Sequence, residues 1–340
     1  DLGGSGTVIV SGAGSRLDAT GLVTHDIGKN SLSGVLIFEL GATGSIAAPL
    51  RLAYSGSAGS HGELILLSDA DLDTANLSIG EVGSPATASA TIDGSGSTLT
   101  QSGASTLVVG SYSGAAATLN VVNGGEFTTG TGTTSINATG LLNVGTTGSG
   151  TFNANGPVNI NGGTVNRGGS SGGFNLANGQ TLTATNDAQI NFGGNYKIDN
   201  DTTFDLQSGA DFSTTSYLDV GDGTLLVDGA GTTVTTGTSI AIWGLPGASA
   251  DVTFRNAATG ALGAINLATS TTAGTTGLFQ IESGADVTLG SFRIAYAGGT
   301  TTSGIVTVDG SGSTLAQNGT SLLTIGHASE GSATINVQNG

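Results

Sequence analysis

The chain contains no cysteine and no methionine, and only 4 prolines and a single tryptophan among its 340 residues. Without cysteine, neither a disulfide nor a thiolate metal site can form. Because a chain without methionine has no initiator residue, the sequence predicts a processed product or a fragment. No apolar stretch approaches 18 residues, so we expect no transmembrane helix.

Basic residues are also scarce, with 7 Lys+Arg against 24 Asp+Glu and a formal net charge of −17. A nucleic-acid partner requires clustered cations that replace counterions, so this class of partner is excluded. The same shortage disfavours anionic membrane surfaces. The polar surface must consist of threonine, serine, asparagine and glycine, which suits water, glycans or further copies of the chain.

Glycine is abundant instead, with 61 residues spread between short β-branched runs. Collagen is excluded because no strict three-residue glycine period exists. Disorder is excluded because 37% of the residues are hydrophobic and the mean hydropathy is +0.17. Many short strands joined by glycine-rich turns are typical of an all-β repeat protein.

Two segments of the chain are near copies of each other. Thr91–Gly124 and Thr307–Gly340 align over 34 positions without a gap, and 20 positions are identical. A repeat of this length indicates stacked structural units. The second copy stops at Gly340, where the first continues with Gly125-Glu126-Phe127. We therefore expect either that the polypeptide continues or that copies stack end to end.

Two shorter motifs recur along the whole chain. A corner motif, [D/S]-G-[S/A]-G-[S/T]-x-[L/V], begins at Ser11, Asp93, Asp228 and Asp309. Apolar runs that end in glycine recur at Gly80, Gly110, Gly145, Gly221 and Gly326. Glycine permits tight corners between strands, and these spacings fit solenoid coils better than propeller blades.

The sequence therefore predicts an all-β fold, a parallel β-helix (β-solenoid) of roughly 13–17 coils. We expect one continuous solenoid over residues 1–340. Residues 25–75 are more apolar and residues 166–215 depart from the motifs, so both regions are interpreted as less regular coils with altered loops.

The unit VDGSGSTL…LxIG…ATxNVxNGG resembles the repeats of autotransporter (type V secretion) passenger regions and of PEP-CTERM-associated surface proteins. The resemblance covers residues 76–165 and 217–340. It implies a right-handed parallel β-helix, export to the bacterial cell surface, and a role in adhesion or matrix. Nothing in the 340 residues resembles the export segment of that family, so the implied extracellular location depends on other parts.

No catalytic residue is predicted, and the chain is not expected to be an enzyme. Residues 168–172 match G-x-S-x-G, but a nucleophile elbow needs a strand before it and a helix after it. Here the motif lies in a glycine and serine run. Of the three histidines, His327 occupies a variable loop position of the repeat.

A glycan-binding or glycan-cleaving β-helix, of the lyase or tailspike type, is the alternative. Such enzymes use clustered acidic side chains. This alternative requires that Asp199, Asp201 and Asp219 converge beside Arg255 or Arg293.

Two groups of acidic residues have other interpretations. Asp199, Asp201 and Asp205 form a weak candidate site for Ca²⁺, because oxygen ligands at alternate positions of the chain suit calcium. No other cofactor is predicted. Repeated aspartates open the corner motif and are interpreted as structural Asx-type turns, in which the carboxylate caps backbone N–H groups: Asp93, Asp228 and Asp309. Serine at position 11 can form the same bond.

Aromatic residues are sparse, with 10 Phe and 5 Tyr. Phe127 and Phe152 are predicted in the core. Tyr112, Trp243 and Tyr296 lie in glycine-flanked segments and form a candidate surface patch. The sequence as a whole predicts a structural, adhesive solenoid of a bacterial surface protein or fibre, a stiff rod with repeated weak contacts. The expected partners are its own copies or flanking coils, glycans, and host or cell surfaces.

Overall fold

A computed structural model describes residues 5–54, 58–81, 86–111, 114–169, 172–242, 249–268, 274–295, 302–318, 322–326 and 331–339. These ranges are all β and contain no helix. Their strands are parallel and stack as a β-solenoid, which confirms the predicted fold class. No helix in the described ranges is long and apolar enough to cross a membrane.

The length of the coils varies along the chain. The shortest interval between stacked Cα partners is from Thr203 to Thr224, 21 residues, and the longest is from Phe292 to Leu323, 31 residues. One sheet receives a single strand from each coil and contains 13 strands in the described ranges, so the number of coils lies at the lower end of the 13–17 expected.

The chain divides into two compact units, unit 1 at Asp1–Ala177 and unit 2 at Asn178–Gly340. The strands of unit 1 are β1 Gly6–Ser11, β2 Arg16–Ala19, β3 His25–Ile27, β4 Ser33–Glu39, β5 Thr43–Ile46, β6 Leu50–Leu52, β7 His61–Leu67, β8 Asp71–Thr74, β9 Leu77–Ile79, β10 Thr87–Asp93, β11 Thr98–Gln101, β12 Leu107–Val109, β13 Ala116–Val122, β14 Gly125–Thr128, β15 Thr134–Asn137, β16 Gly140–Val144, β17 Gly150–Ala154, β18 Val158–Asn161, β19 Thr164–Arg167 and β20 Gly172–Leu176.

The strands of unit 2 are β21 Thr181–Thr185, β22 Gln189–Phe192, β23 Tyr196–Ile198, β24 Thr203–Gln207, β25 Asp211–Thr214, β26 Tyr217–Val220, β27 Thr224–Asp228, β28 Thr233–Thr236, β29 Ser239–Ile242, β30 Ser249–Arg255, β31 Thr259–Leu267, β32 Thr276–Glu282, β33 Asp286–Ile294, β34 Ser303–Asp309, β35 Thr314–Gln317, β36 Leu323–Ile325 and β37 Ser332–Gln338.

Each turn of unit 1 contributes one strand to each of three parallel sheets. The first, which we call the long-strand sheet, contains β1, β4, β7, β10, β13, β16 and β19. The second contains β2, β5, β8, β11, β14, β17 and β20, and the third contains β3, β6, β9, β12, β15 and β18. The order in a coil is a long strand, a corner and two short strands.

Unit 2 repeats the same order in each coil. Its long strands are β21, β24, β27, β30, β32, β34 and β37. The first short strands pair as β22–β25–β28, and the second as β23–β26–β29. The nine-residue strands β31 and β33 continue both rows.

Alternation along each strand decides which side chains enter the core, because successive residues point to opposite faces. In β4, Leu36 and Phe38 are buried, whereas Val35 and Ile37 point outward. β4 pairs with β7 in unbroken register from Ser33 to Glu39. The apolar runs of β4 and β7 therefore form regular paired strands that are apolar on both faces.

Phenylalanines stack along the interior of unit 1. Phe127, Phe152 and Phe174 are Cα partners in successive coils. Their ring centroids are 5.5 Å and 5.6 Å apart, and the first two rings are fully buried. The predicted core positions of Phe127 and Phe152 are confirmed, and such aromatic contacts add to the free energy of burial.

Candidate functional site

The corner motif forms the same turn in both units. In the corner that follows Asp93, Gly94 and Gly96 adopt φ values of +98° and +81°, which favour glycine. The hydroxyl four residues after the first position donates to that residue's carbonyl: Ser15 to Ser11 at 2.6 Å, Ser97 to Asp93 at 2.9 Å, Thr232 to Asp228 at 2.8 Å and Ser313 to Asp309 at 2.6 Å.

The aspartate carboxylates of these corners have a different role from the predicted one. Each accepts a hydrogen bond from an asparagine of the next coil: Asp93 from Asn123 at 2.8 Å, Asp228 from Asn256 at 2.7 Å and Asp309 from Asn339 at 2.9 Å. The expectation of an Asx-type cap is wrong in this detail, because the hydroxyl described above closes the turn. The carboxylates are structural and join neighbouring coils.

The predicted calcium ligands are engaged separately. Asp199 Oδ2 lies 2.6 Å from the Lys197 ammonium, and Asp205 Oδ2 accepts a hydrogen bond from Gln207 at 2.6 Å. Asp201 is exposed in the turn before β24. Within the described ranges, no group of three His, Cys, Asp or Glu side chains could hold a metal ion. The structure does not assemble this triplet into a ligand set.

The structure brings together only some of the charged residues that the glycan alternative requires. Lys197 pairs with Asp199 and is the Cα partner of Asp219 in the next coil. Burial raises the pKa of Asp219, and the Lys197 charge opposes that rise. Arg255 lies on another sheet, where its guanidinium binds Asp228 at 2.8 Å.

Arg293 occupies the same outward row as Asp219, three coils further along. The row runs Lys197, Asp219, Ala241, Asn266 and Arg293. At about 4.8 Å for each coil, Arg293 is about 14 Å from Asp219 along the row. The two side chains are therefore too far apart to hold one sugar ring together.

The candidate surface patch lies outside the described residues, which do not include Tyr112, Trp243 or Tyr296. Ser170, Ser171 and His327 also lie outside them. The described residues next to Trp243 belong to β29, whose Ala241 lies in the row of Asp219.

One outward row of side chains on the long-strand sheet of unit 1 is aliphatic at one end and carries amide side chains at the other. Its stacked positions are Ile9, Ile37, Ile65, Thr91, Asn120, Asn143 and Asn166. Neighbouring positions in a parallel sheet are about 4.8 Å apart. One face of unit 1 therefore presents an aliphatic end and an amide end.

The aliphatic end forms a contiguous outward surface, which we call the aliphatic stripe. It consists of Ile9, Val35, Ile37, Ile65 and Leu67. Ile9 is 59% exposed, and the other four side chains are half-buried. Soluble proteins display few contiguous apolar surfaces, and those that exist mark contacts with another surface.

The asparagine side chains of the amide end form hydrogen bonds with one another from coil to coil. Asn143 donates to the Asn120 side-chain oxygen at 2.9 Å, and Asn166 donates to Asn143 at 3.1 Å. Asn120 donates to the Thr91 hydroxyl at 3.4 Å. Such a ladder satisfies its own polar groups from coil to coil, so it stiffens the face and is less available to a partner.

Threonine hydroxyls separate the acidic side chains on the outer faces of the first short strands. Thr98 donates to Asp71 at 2.5 Å and lies between Asp71 and Glu126 of the neighbouring coils. In unit 2, Thr233 donates to Asp211, Thr314 donates to Asp286 at 2.5 Å, and two threonines stand between the two aspartates. This spacing keeps carboxylates out of adjacent coils and so lowers their mutual repulsion.

One ionic cluster stands out in unit 1. Asp26 binds the Arg51 guanidinium at 2.7 Å and the Lys29 ammonium at 2.9 Å, and the Arg51 guanidinium stacks 3.4 Å from the Tyr54 ring centroid. Burial raises the pKa of Asp26, but the hydrogen bonds and charges of Arg51 and Lys29 outweigh burial, so this pKa lies below its usual value. The cluster joins two coils.

The sequence itself indicated the aliphatic stripe, but through continuous apolar runs and not through alternating apolar residues. The runs Val35-Leu36-Ile37-Phe38 and Leu64-Ile65-Leu66-Leu67 are apolar at every position, not at alternate positions. In a solenoid with one face toward water, such runs predict an outer apolar surface.

No protein-family model, no curated protein and no solved structure matches this chain. The resemblance to autotransporter and PEP-CTERM-associated repeats is therefore an expectation from the corner and strand motifs of the sequence alone.

Proposed function

We propose that this chain is a structural and adhesive β-solenoid of a bacterial extracellular surface protein or fibre, without catalytic activity. The observation that carries the proposal is the aliphatic stripe on the outer face of the long-strand sheet. Flat stacked strands keep its side chains in rows about 4.8 Å apart. Each contact with a second surface is weak, and repetition along the sheet makes the sum strong.

The test replaces the stripe while the strands stay intact. The variant Ile37→Thr with Ile65→Thr keeps β-branched residues, which suit strands, and removes apolar area. Binding of the purified chain to alkyl-coated beads and to bacterial cells should fall several-fold. The matched control, Asn143→Thr with Asn166→Thr, alters the amide end of the same row and should bind as the wild type does. Unchanged binding of the isoleucine variant contradicts the proposal.

A glycan-cleaving function is the second candidate, and Asp219 favours it. Burial raises the pKa of its carboxyl group, as a general acid requires, while the charge of Lys197 opposes that rise. Incubation of the wild type with a panel of bacterial polysaccharides, followed by reducing-end analysis, tests this function. Cleavage that Asp219→Asn abolishes and Asp211→Asn preserves would establish it. Absence of cleavage across the panel supports the structural role.

A further inference from the structure

The outward faces of β4 and β7 combine the centre of the aliphatic stripe with two carboxylates. Three outward positions on each strand form a surface that we call the acid-flanked block: Val35, Ile37, Glu39, Glu63, Ile65 and Leu67. Ile37 and Ile65 are Cα partners at its centre, and each glutamate pairs with an aliphatic residue of the other strand. The two carboxylates therefore lie at opposite corners, with their Cα atoms about 14 Å apart.

The charge around this block has one sign. No lysine or arginine lies in β4, in β7 or in the strands on either side, β1 and β10. Asp93, the Cα partner of Leu67 in the next coil, adds a third negative charge. His61 lies 3.9 Å from Glu63 and is charged only when it is protonated. The block is therefore an apolar centre with an anionic rim.

The two glutamates are held differently. The Glu63 carboxylate accepts a hydrogen bond from the Ser89 hydroxyl at 3.3 Å. Among the described residues, no hydrogen bond or ion pair engages the Glu39 carboxylate. Both side chains are half-buried beside aliphatic neighbours, so each carboxylate has lost part of its water shell. A cation brought by a partner would offset that loss.

A partner of this surface must present apolar and cationic side chains on one face. We propose that the acid-flanked block binds a cationic amphipathic polypeptide segment. Its apolar side chains cover Ile37 and Ile65, and its lysine or arginine side chains pair with Glu39 and Glu63. The inference rests on the proposed adhesive function and names the partner of the same surface.

Charge complementarity selects this occupant over two others. A second copy of the chain would bring the same carboxylates to the interface, and each copy carries a formal net charge of −17. Like charges that face each other across an interface suppress binding. An anionic lipid surface meets the same repulsion. A cationic segment alone satisfies both the apolar centre and the acidic corners.

The experiment measures binding of a helical peptide of about 14 leucine and lysine residues, about 21 Å long, whose leucine stripe is flanked by lysines. Fluorescence anisotropy of the labelled peptide gives its affinity for the purified chain. Glu39→Gln with Glu63→Gln keeps the size of both side chains and should weaken binding by about tenfold or more. Raising the ionic strength from about 0.01 M to about 0.15 M should weaken binding to the wild type more than binding to the glutamine variant.

A matched variant removes two charges elsewhere in unit 1. Asp71→Asn with Asp73→Asn lies on β8, in another sheet, and should change the affinity by less than about twofold, because distant exposed charges are screened. Loss of binding in the glutamine variant alone supports the proposal. Equal losses in both variants would assign binding to the net charge of the chain, and no loss in either would assign it to apolar contact. Both of these results overturn the proposal.

Binding to alkyl-coated beads separates this inference from the adhesive function. The glutamine variant should bind the beads as the wild type does, because both isoleucines remain. Unchanged peptide binding in that variant overturns the inference and leaves the adhesive function standing. Unchanged bead binding in Ile37→Thr with Ile65→Thr overturns the adhesive function itself.

Sedimentation of the wild-type chain tests a second copy as the occupant. A monomer at all concentrations supports the proposed partner. Concentration-dependent association that Ile37→Thr with Ile65→Thr abolishes would show that a second copy covers the block, and would overturn the proposal.

Discussion

The two copies of the 34-residue repeat have the same strands but very different surroundings. Strands β10, β11, β12 and β13 begin and end at the positions equivalent to those of β34, β35, β36 and β37. Val121 is fully buried, whereas its counterpart Val337 is 74% exposed. The comparison shows that the repeat specifies its own strands and corners, while the adjacent coil supplies the burial. Such nearest-neighbour behaviour is typical of solenoids.

The largest expected effect comes from a charge at the two equivalent valines. Val121→Asp places a carboxylate among fully buried side chains and should destabilise unit 1 by at least about 4 kcal/mol. Val337→Asp should change stability by less than about 0.5 kcal/mol, because that position faces water. Urea unfolding followed by circular dichroism measures both. Equal losses would mean that the second copy is also covered in solution.

Leu107 and Leu323 occupy equivalent positions in the two copies, and replacing each should give a smaller difference in stability. Leu107→Ala opens a cavity in a fully buried site and should cost about 2–5 kcal/mol, as large-to-small core substitutions do. Leu323→Ala, at the half-exposed equivalent, should cost less than about 1 kcal/mol. Hydrogen exchange of β12 and β36 in each variant reports the local loss. A larger effect at Leu323 would reverse the comparison.

The corner hydroxyls should differ modestly between the two copies. Ser97→Ala and Ser313→Ala each remove a hydrogen bond to the aspartate carbonyl, which should cost about 1 kcal/mol. The Ser313 hydroxyl also accepts a hydrogen bond from the Gly284 N–H of the preceding coil at 3.0 Å, so Ser313→Ala should cost more than Ser97→Ala. Thermal melts of the two variants measure the difference, and equal losses would show that the bond between coils adds nothing.

The smallest expected effects concern pH, and they have opposite signs in the two units. The pKa of Asp219 lies above its usual 3.8 because of burial, so the folded state holds this proton more tightly than the unfolded state. Its contribution to the stability of unit 2 should therefore rise as the pH falls from neutral through the raised pKa, and level off below 3.8. Asp219→Asn should stabilise the chain at pH 7.

Asp26 should respond in the opposite direction. Burial acts to raise its pKa, but Arg51 and Lys29 lower it below 3.8, so its stabilising contribution is present above 3.8 and is lost as the pH falls through the lowered pKa. Asp26→Asn should therefore destabilise unit 1 at pH 7. Thermal melts of both variants between pH 3 and pH 7 check the signs. A common direction for the two aspartates would contradict both assignments.

Sequence reasoning predicted the solenoid because its signals are local. Alternating aliphatic residues and paired glycines, such as Gly94 and Gly96, specify short strands and tight corners without reference to distant residues. The number of coils could be predicted only as a range, because the repeat interval varies from 21 to 31 residues. The role of Asp93 was misassigned because its partner, Asn123, is 30 residues away.

The alternation of residues and the glycine corners were sufficient to establish an all-β stacked fold, and the repeat was sufficient to place equivalent strands. Stacking alone decided that Ile9, Ile37 and Ile65 align on one outer row and that Lys197 adjoins Asp219. It also decided that Val121 is covered and Val337 is not. The physical reason is that burial and side-chain ladders depend on which residue lies one coil away, a distance that the loops set and the local pattern does not encode.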